Sequence, residues 1–369
     1  MRNEKIAGRQ LWFILFLLRT TIILAYLPVL TSANALQDAW ISALITLLGS
    51  EVFVLFISLL ATRFPNRTVI EYSQVILGNW PGRLIGLVFL WLFLQLSVVD
   101  IRIYSELVVT GFLPNTPPIV IIIAVVFLAA ICVREGVEII GRMADVFFSL
   151  FFLMIVGVVI ISLNEFDFKN IQPILYRGWQ PVFKGALTPV ALIIQVWVLG
   201  ILVPDTLNPR KTVKIALTSI GISLLILVVI TFVTIGVLSP QEGARATFPL
   251  LTLIRSVSLS RFLERVEVLV ILAWGLGLFI SVCTYLYCGA KAMAQWLKLK
   301  EYRPLVFPMS VFWVVLSLHG FENIFSLYEY LKPENFFPYG AVLLTVPLAI
   351  LWIGYFLRKY FGGLKGEEN

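Results

Sequence analysis

Charge is what this 369-residue chain has least of. Only 13% of its residues are Asp, Glu, Lys or Arg, about half the share of an ordinary soluble domain. Histidine is down to one, His319, and cysteine to three, Cys132, Cys283 and Cys288. Without a Cys/His cluster, neither a metal centre nor a disulfide framework is expected. The Cys283–Cys288 spacing puts those two thiols on different helix faces. The absence of a Gly-rich phosphate cradle argues against an ATP-driven pump. The absence of a helix with repeated arginines argues against a voltage sensor. No nucleophile, base and acid stand together as a catalytic set, so neither an enzyme nor a cofactor is expected. The net charge of +7 does not indicate nucleic acid, because the basic residues sit in short loops between apolar runs.

What remains is apolar sequence, 60% of the chain. It falls into ten runs near 10–30, 39–61, 84–110, 117–134, 142–163, 185–204, 213–238, 266–290, 304–320 and 336–357. Most are long enough to cross a bilayer, and none alternates as a strand would. Backbone groups in hydrocarbon must be satisfied within their own segment, so the expected fold is an all-α integral membrane protein with ten transmembrane helices. The start of the chain imitates a secretory signal, but the run is too long and contains Arg19, so an uncleaved first span is expected. With the N-terminus inside, the cytoplasmic segments hold eighteen Lys and Arg and the outer ones eight, which places both termini in the cytoplasm. The stretch FPLLTLIRSVSLSRFLERVE, which begins in the outer segment 240–265, reads as an amphipathic helix on the outer surface, meeting headgroups or a partner.

Ten spans divide into two sets of five with opposite orientation. Such a five-plus-five inverted repeat places a ligand site at the midplane, between two broken helices. The chain is read as a single polytopic domain over 1–369, with repeats near 10–163 and 185–357. Span 1, LWFILFLLRTTIILAYLPVL, holds Arg19-Thr20-Thr21 at its centre, and a break is expected there. Span 6 has Pro189, Gly200 and Pro204 as breakers, with Gln195 at its midpoint.

Other polar residues inside spans are site candidates, since each is costly unless it faces a partner or a cavity. Glu51 in span 2 either pairs with Arg19 or serves as a proton or cation site. In span 3, Arg102 and Glu106 share a face and should pair. That leaves a stripe of Ser97, Asp100 and Tyr104, which either lines a cavity or bonds neighbouring helices. Arg142 and Asp145 read as a local ion pair. In span 8, Gly275 and Gly277 permit close helix approach or local unwinding, and Ser281 and Tyr285 share a face.

Several segments resemble one known family. KIAGRQLWFILFLLRTTIILAYLP opens like the B subunits of GerA-type spore germinant receptors, also called endospore germination permeases. QDAWISALI and REGVEIIGRMADVFF continue the likeness, which is clearest over residues 261–308, RFLERVEVLVILAWGLGLFISVCTYLYCGAKAMAQWLKLKEYRPLVFP. The resemblance implies the LeuT-like fold of the amino acid–polyamine–organocation superfamily, with helices 1 and 6 broken at the midplane. It implies sensing of a small nutrient, often an amino acid, in the inner membrane of a spore, together with a membrane A subunit and a lipoprotein C subunit. Two positions depart from the pattern: Arg19-Thr20-Thr21 stands where related transporters have Gly with Ser or Thr, and Gln195 where the family commonly has glutamate.

The expected ligand site is therefore Arg19, Thr20, Thr21, Ser97, Asp100, Tyr104, Gln195 and Ser281, with Glu51 and Asp100 as candidates for ion or proton coupling. A germinant-receptor subunit is the leading reading. A secondary transporter of amino acids or organic cations, coupled to H⁺ or Na⁺, is its rival.

Overall fold

The apolar runs all fold as helices. The computed structural model describes residues 4–361 apart from 247 and 258–260. In chain order the α-helices are α1 (Gly8–Ala25), α2 (Leu27–Ala35), α3 (Ala39–Arg63), α4 (Val69–Leu77), α5 (Asn79–Gly111), α6 (Pro118–Glu135), α7 (Val137–Ser162) and α8 (Trp179–Ala191). There follow α9 (Leu199–Leu202), α10 (Thr212–Leu238), α11 (Pro240–Gly243), α12 (Pro249–Val257), α13 (Arg261–Trp296), α14 (Arg303–His319), α15 (Ile324–Leu331) and α16 (Pro333–Tyr360). Among the described residues nine helical runs are long and apolar enough to cross a membrane. A tenth is counted if α14 and α15, bent by 89°, form one span. With α2 taken together with α1 across the break between them, spans 1 to 10 are α1–α2, α3, α5, α6, α7, α8–α9, α10, α13, α14–α15 and α16.

The packing repeats after five spans. Span 1 packs on span 7, and span 6 on span 2. Span 5 packs on span 1, and span 10 on span 6. Span 4 packs on span 8, and span 9 on span 3, while spans 2 and 7, and 3 and 8, pack on each other. Adding five to each number, counting round from ten, turns these contacts into one another. Five is odd, so the second half begins on the opposite side of the membrane and the repeat is inverted. Spans 1, 2, 6 and 7 form one bundle, and spans 3, 4, 8 and 9 brace it.

Both expected broken helices are present, but the first break lies elsewhere. Arg19-Thr20-Thr21 is continuous α-helix, and the break falls at Tyr26, with φ −154° and ψ −8°. The cause is Pro28: it has no N–H for the carbonyl of Leu24 and its ring crowds the preceding turn. In span 6 the chain tightens into a 3₁₀ stretch, Leu192–Val198, with Gln195 in its middle.

The Arg142–Asp145 pair does not form. Arg142 bonds Glu138 at 2.6 Å, one turn away on its own helix, and Asp145 takes Arg9 at 3.1 Å and Gln10 at 3.0 Å from span 1. The Arg102–Glu106 pair forms at 2.6 Å. The stretch read as a loop after span 2 contains α4, started by a Thr68–Glu71 capping box, the usual reciprocal cap. In the expected amphipathic segment, α12 buries Leu250, Leu251, Leu253 and Ile254 and exposes Arg255. Residues 258–260 of that segment, and the side chains of Arg261 and Arg265, lie outside the described residues.

Candidate ligand site at the midplane

The two broken spans cross the middle of the bundle with their polar residues facing each other. Arg19 is 1% exposed. Its Nη1 donates to Gln195 Oε1 at 3.4 Å, and its Nη2 to the Pro189 carbonyl at 2.9 Å. Span 1 and span 6 thus meet through the two residues expected to be counterparts. No carboxylate lies within ion-pair distance of Arg19 among the described residues, and its Nε has no partner. A buried guanidinium held only by neutral dipoles is poorly compensated.

Thr20 and Thr21 fix α1 on either side. Thr20 donates to Ser223 of α10 at 3.1 Å. The Thr21 hydroxyl lies 3.4 Å from that of Ser281, and the indole of Trp274 donates to the Thr21 carbonyl at 3.0 Å. This contact needs Gly277: a Cβ there would stand 2.6 Å from Thr21 Cγ2. Span 8 therefore approaches span 1 closely at Gly277, whereas Gly275 meets only Tyr104, at 3.8 Å.

Asp100 is 1% exposed, and among the described residues neither of its oxygens has a partner that meets hydrogen-bond geometry. The Ser281 hydroxyl is close enough to act on its carboxylate. Ser97, one turn earlier on α5, is buried with its hydroxyl unpartnered. Tyr104, one turn later, is half-buried against α13. Two residues outside the expected set complete the site. Tyr26, at the break, and Tyr285, one turn from Ser281, each lie within electrostatic range of both Arg19 and Asp100. Both hydroxyls are buried without partners. Pro28 is the only sequence signal that singles out Tyr26, and the Ser281 spacing the only one for Tyr285.

Arg19 Nε, Tyr26, Ser97, Asp100, Gln195 Nε2 and Tyr285 therefore all present unsatisfied polar atoms in one region. Each such group costs about 1–3 kcal/mol when left dry, so this concentration fits a place that water or a ligand fills. The cavity beside them, between Tyr26, Asp100, Gln195, Leu192 and Phe336, is about 10 Å³. That is room for about one water, so the site is closed over. A chain from Trp91 through Tyr339 and Gln95 to Tyr330 ties span 3 to α15 and α16 beside this cavity.

Glu51 does not belong to this set. It sits half-buried on α3 against Gly221 of α10; among the described residues it has no ion pair, and one of its oxygens is buried and unpartnered. Among the described residues no group of three or more His, Cys, Asp or Glu could hold a metal. A larger cavity, about 390 Å³, opens beside the N-terminal segment, but several of its charged groups are already engaged. Lys291 bonds both oxygens of Asp205 at 2.6 Å, Arg303 bonds Glu4 at 2.7 Å, and Lys5 donates to the Pro204 carbonyl at 2.6 Å.

Comparisons with known proteins bear on the fold and the family. The crystal structure of MhsT in complex with L-phenylalanine superposes with a TM-score of 0.69 over 92% of this chain and 89% of that one, at 14% identity. Spore germination protein KB of Bacillus subtilis is 27% identical over 100% of this chain and 99% of its own length. Spore germination protein YndE of the same organism is 26% identical over 87% and 89%, and spore germination protein A2 is 25% identical over 72% and 73%. The model of the spore germination protein family matches residues 5–324, most of the ten-span fold, and the chain belongs to that family.

Proposed function

We propose that this chain is the membrane subunit of a spore nutrient-germinant receptor. It holds a small metabolite, an amino acid, between spans 1, 3, 6 and 8 and triggers germination by changing conformation. The observation that carries this reading is a buried arginine and a buried aspartate, neither ion-paired among the described residues, with two tyrosines of unpartnered hydroxyl within electrostatic range of both. An amino acid complements both charges: its carboxylate pairs with Arg19 and its ammonium with Asp100. Gln195, Ser97 and Tyr104 border the ligand, and Thr20, Thr21 and Ser281 hold span 1 where Arg19 can reach it. The names of the relatives, and a structural neighbour crystallised with L-phenylalanine, support the same reading.

The closed cavity has no room for an amino acid, so the ligand must bind a more open state better than this one. That difference is what an A-type membrane subunit and a C-type lipoprotein subunit would sense. Placement in the spore inner membrane with both termini cytoplasmic, and repeats near 10–163 and 185–357, belong to the same proposal. On this reading the chain is not an enzyme.

A thermal-shift screen of the purified protein against neutral and charged amino acids tests the proposal. A binding amino acid raises the melting temperature, and Arg19→Gln weakens it more than about thirtyfold by leaving its carboxylate unpaired. Unchanged affinity in Arg19→Gln would overturn the pairing. A second reading, a secondary transporter coupled to H⁺ or Na⁺, draws on two intramembrane carboxyls with no ion pair among the described residues, Glu51 and Asp100. Saturable, gradient-driven uptake into liposomes by this chain alone would favour it.

A further inference from the structure

Span 10 packs mainly on α8 and α4, and its other flank leaves an open seam against α3. A groove of about 520 Å³ runs down this seam. Its walls are Phe53 and Phe56 of α3 and Leu348, Trp352 and Phe356 of α16. Phe56 and Phe356 are 45% and 60% exposed. Trp352 pins the two helices together by donating to the Phe56 carbonyl at 3.3 Å, and its ring stacks on Phe356 with centroids 5.4 Å apart.

At one end this apolar groove meets two cations. Arg63 is the last residue of α3, and Lys359 lies in the last turn of α16. Both stand over the ring of Tyr355, at 5.8 and 5.7 Å from its centroid, and Lys359 also donates to its hydroxyl at 3.4 Å. Both are exposed, and neither has an ion-pair partner among the described residues. Arg358 adds a third positive charge next in the chain. Like charges gathered on one ring, with no acid in ion-pair range among the described residues, favour an anion there.

The distance along the helix says which anion. From Phe53 to Arg63 is about 15 Å of α-helix, one leaflet of a hydrocarbon core roughly 30 Å thick. The cations therefore sit at headgroup level, and the groove reaches down toward the midplane. We infer that this seam binds an anionic phospholipid, with its phosphate held by Arg63 and Lys359 and one acyl chain laid along the groove. Basic pockets at the ends of membrane helices recognise lipid headgroups in this manner. A zwitterionic headgroup carries its own cation and gains less, and free phosphate lacks the chain that fills the groove.

The test uses the full-length protein, delipidated in non-ionic detergent, with phosphatidylglycerol as probe. Native mass spectrometry counts bound lipid and thermal shift reads its effect, with phosphatidylcholine and inorganic phosphate as comparators. One phosphatidylglycerol per protein is expected at this site. Affinity falls on the order of tenfold in the double variant Arg63→Gln/Lys359→Gln. It is unchanged in Arg210→Gln/Lys211→Gln, which loses the same charge from the turn between spans 6 and 7. Ala349→Trp fills the groove without changing charge and also weakens binding. Equal retention of phosphatidylcholine, equal loss in the Arg210/Lys211 variant, no effect of Ala349→Trp, or stabilisation by inorganic phosphate alone would each overturn the inference.

Discussion

Asp100 presents two carboxyl oxygens to a buried interior, where neither meets a hydrogen-bond partner among the described residues. In a ligand site this poor bonding is useful, because the missing partner arrives with the ligand. Asp100→Asn should therefore leave the melting temperature of the ligand-free protein unchanged or higher, since the amide asks less of its surroundings. The same variant should lose the thermal shift given by an amino acid. A large drop in ligand-free stability would mean that Asp100 is a structural group whose partner lies within the protein. At this scale the sequence was informative where a residue was out of place: Arg19, Asp100 and Gln195 stand out in apolar runs, and all three are buried inside the bundle. Tyr26 went unmarked and Tyr285 was marked only by its spacing from Ser281, because tyrosine is at home in a membrane helix. Only the fold reveals that their hydroxyls are stranded. Glu51 was conspicuous too, but its seat against Gly221 rather than beside Arg19 depends on how α3 rotates against α10.

Helices were the most legible elements, since a run of apolar residues in lipid has few alternatives. The details inside them were harder to read, because they depend on what comes near. Arg19 suggested a break where there is none, and Pro28 makes one seven residues after Arg19. The pair Gly275 and Gly277 looked equivalent in sequence, yet only Gly277 lies where span 8 touches span 1. Alanine at 277 drives its Cβ to 2.6 Å from Thr21 Cγ2 and 3.0 Å from Phe151. Overpacking of this kind costs about 1–3 kcal/mol, and here it also separates Thr21 from Ser281. Gly275→Ala meets its nearest neighbour at an ordinary 3.8 Å and gains about 0.5–1 kcal/mol from the better helix propensity. Thermal melts of the two variants should move in opposite directions, with ligand affinity reduced only in Gly277→Ala. Equal shifts would mean that the close approach at 277 is easily relaxed.

The whole molecule is closed at both ends of its site, so a signal must open one of them. On one side the aromatic–amide chain from Trp91 to Tyr330 holds α15 and α16 to span 3. On the other, the N-terminal segment is strapped to the turn after span 6. Ile6 donates to the Asp205 carbonyl at 2.8 Å, and Leu207 to that of Ile6 at 3.0 Å. Asp205 in turn takes Lys291 and Tyr287 of span 8, at 2.6 and 2.8 Å. This last pair ties the bundle of spans 1, 2, 6 and 7 to its brace, and its side chains are only 17% and 14% exposed. Removing one partner of such a pair costs about 3 kcal/mol, because the other charge stays behind. The cost falls on the closed state, where Asp205 is shielded from water, so Lys291→Gln should favour opening at this end. Hydrogen exchange at the amides of Ile6 and Leu207 should then speed up by about tenfold or more, while amides in spans 3 and 4 keep their rates. Lys184→Gln, which breaks the exposed pair with Glu334, should leave both regions unchanged. A ligand that needs the open state would bind Lys291→Gln more tightly, since less of its binding free energy is used in opening the protein. If exchange at Ile6 and Leu207 stays slow in Lys291→Gln, the strap holds without its ion pair and opening belongs to the other end.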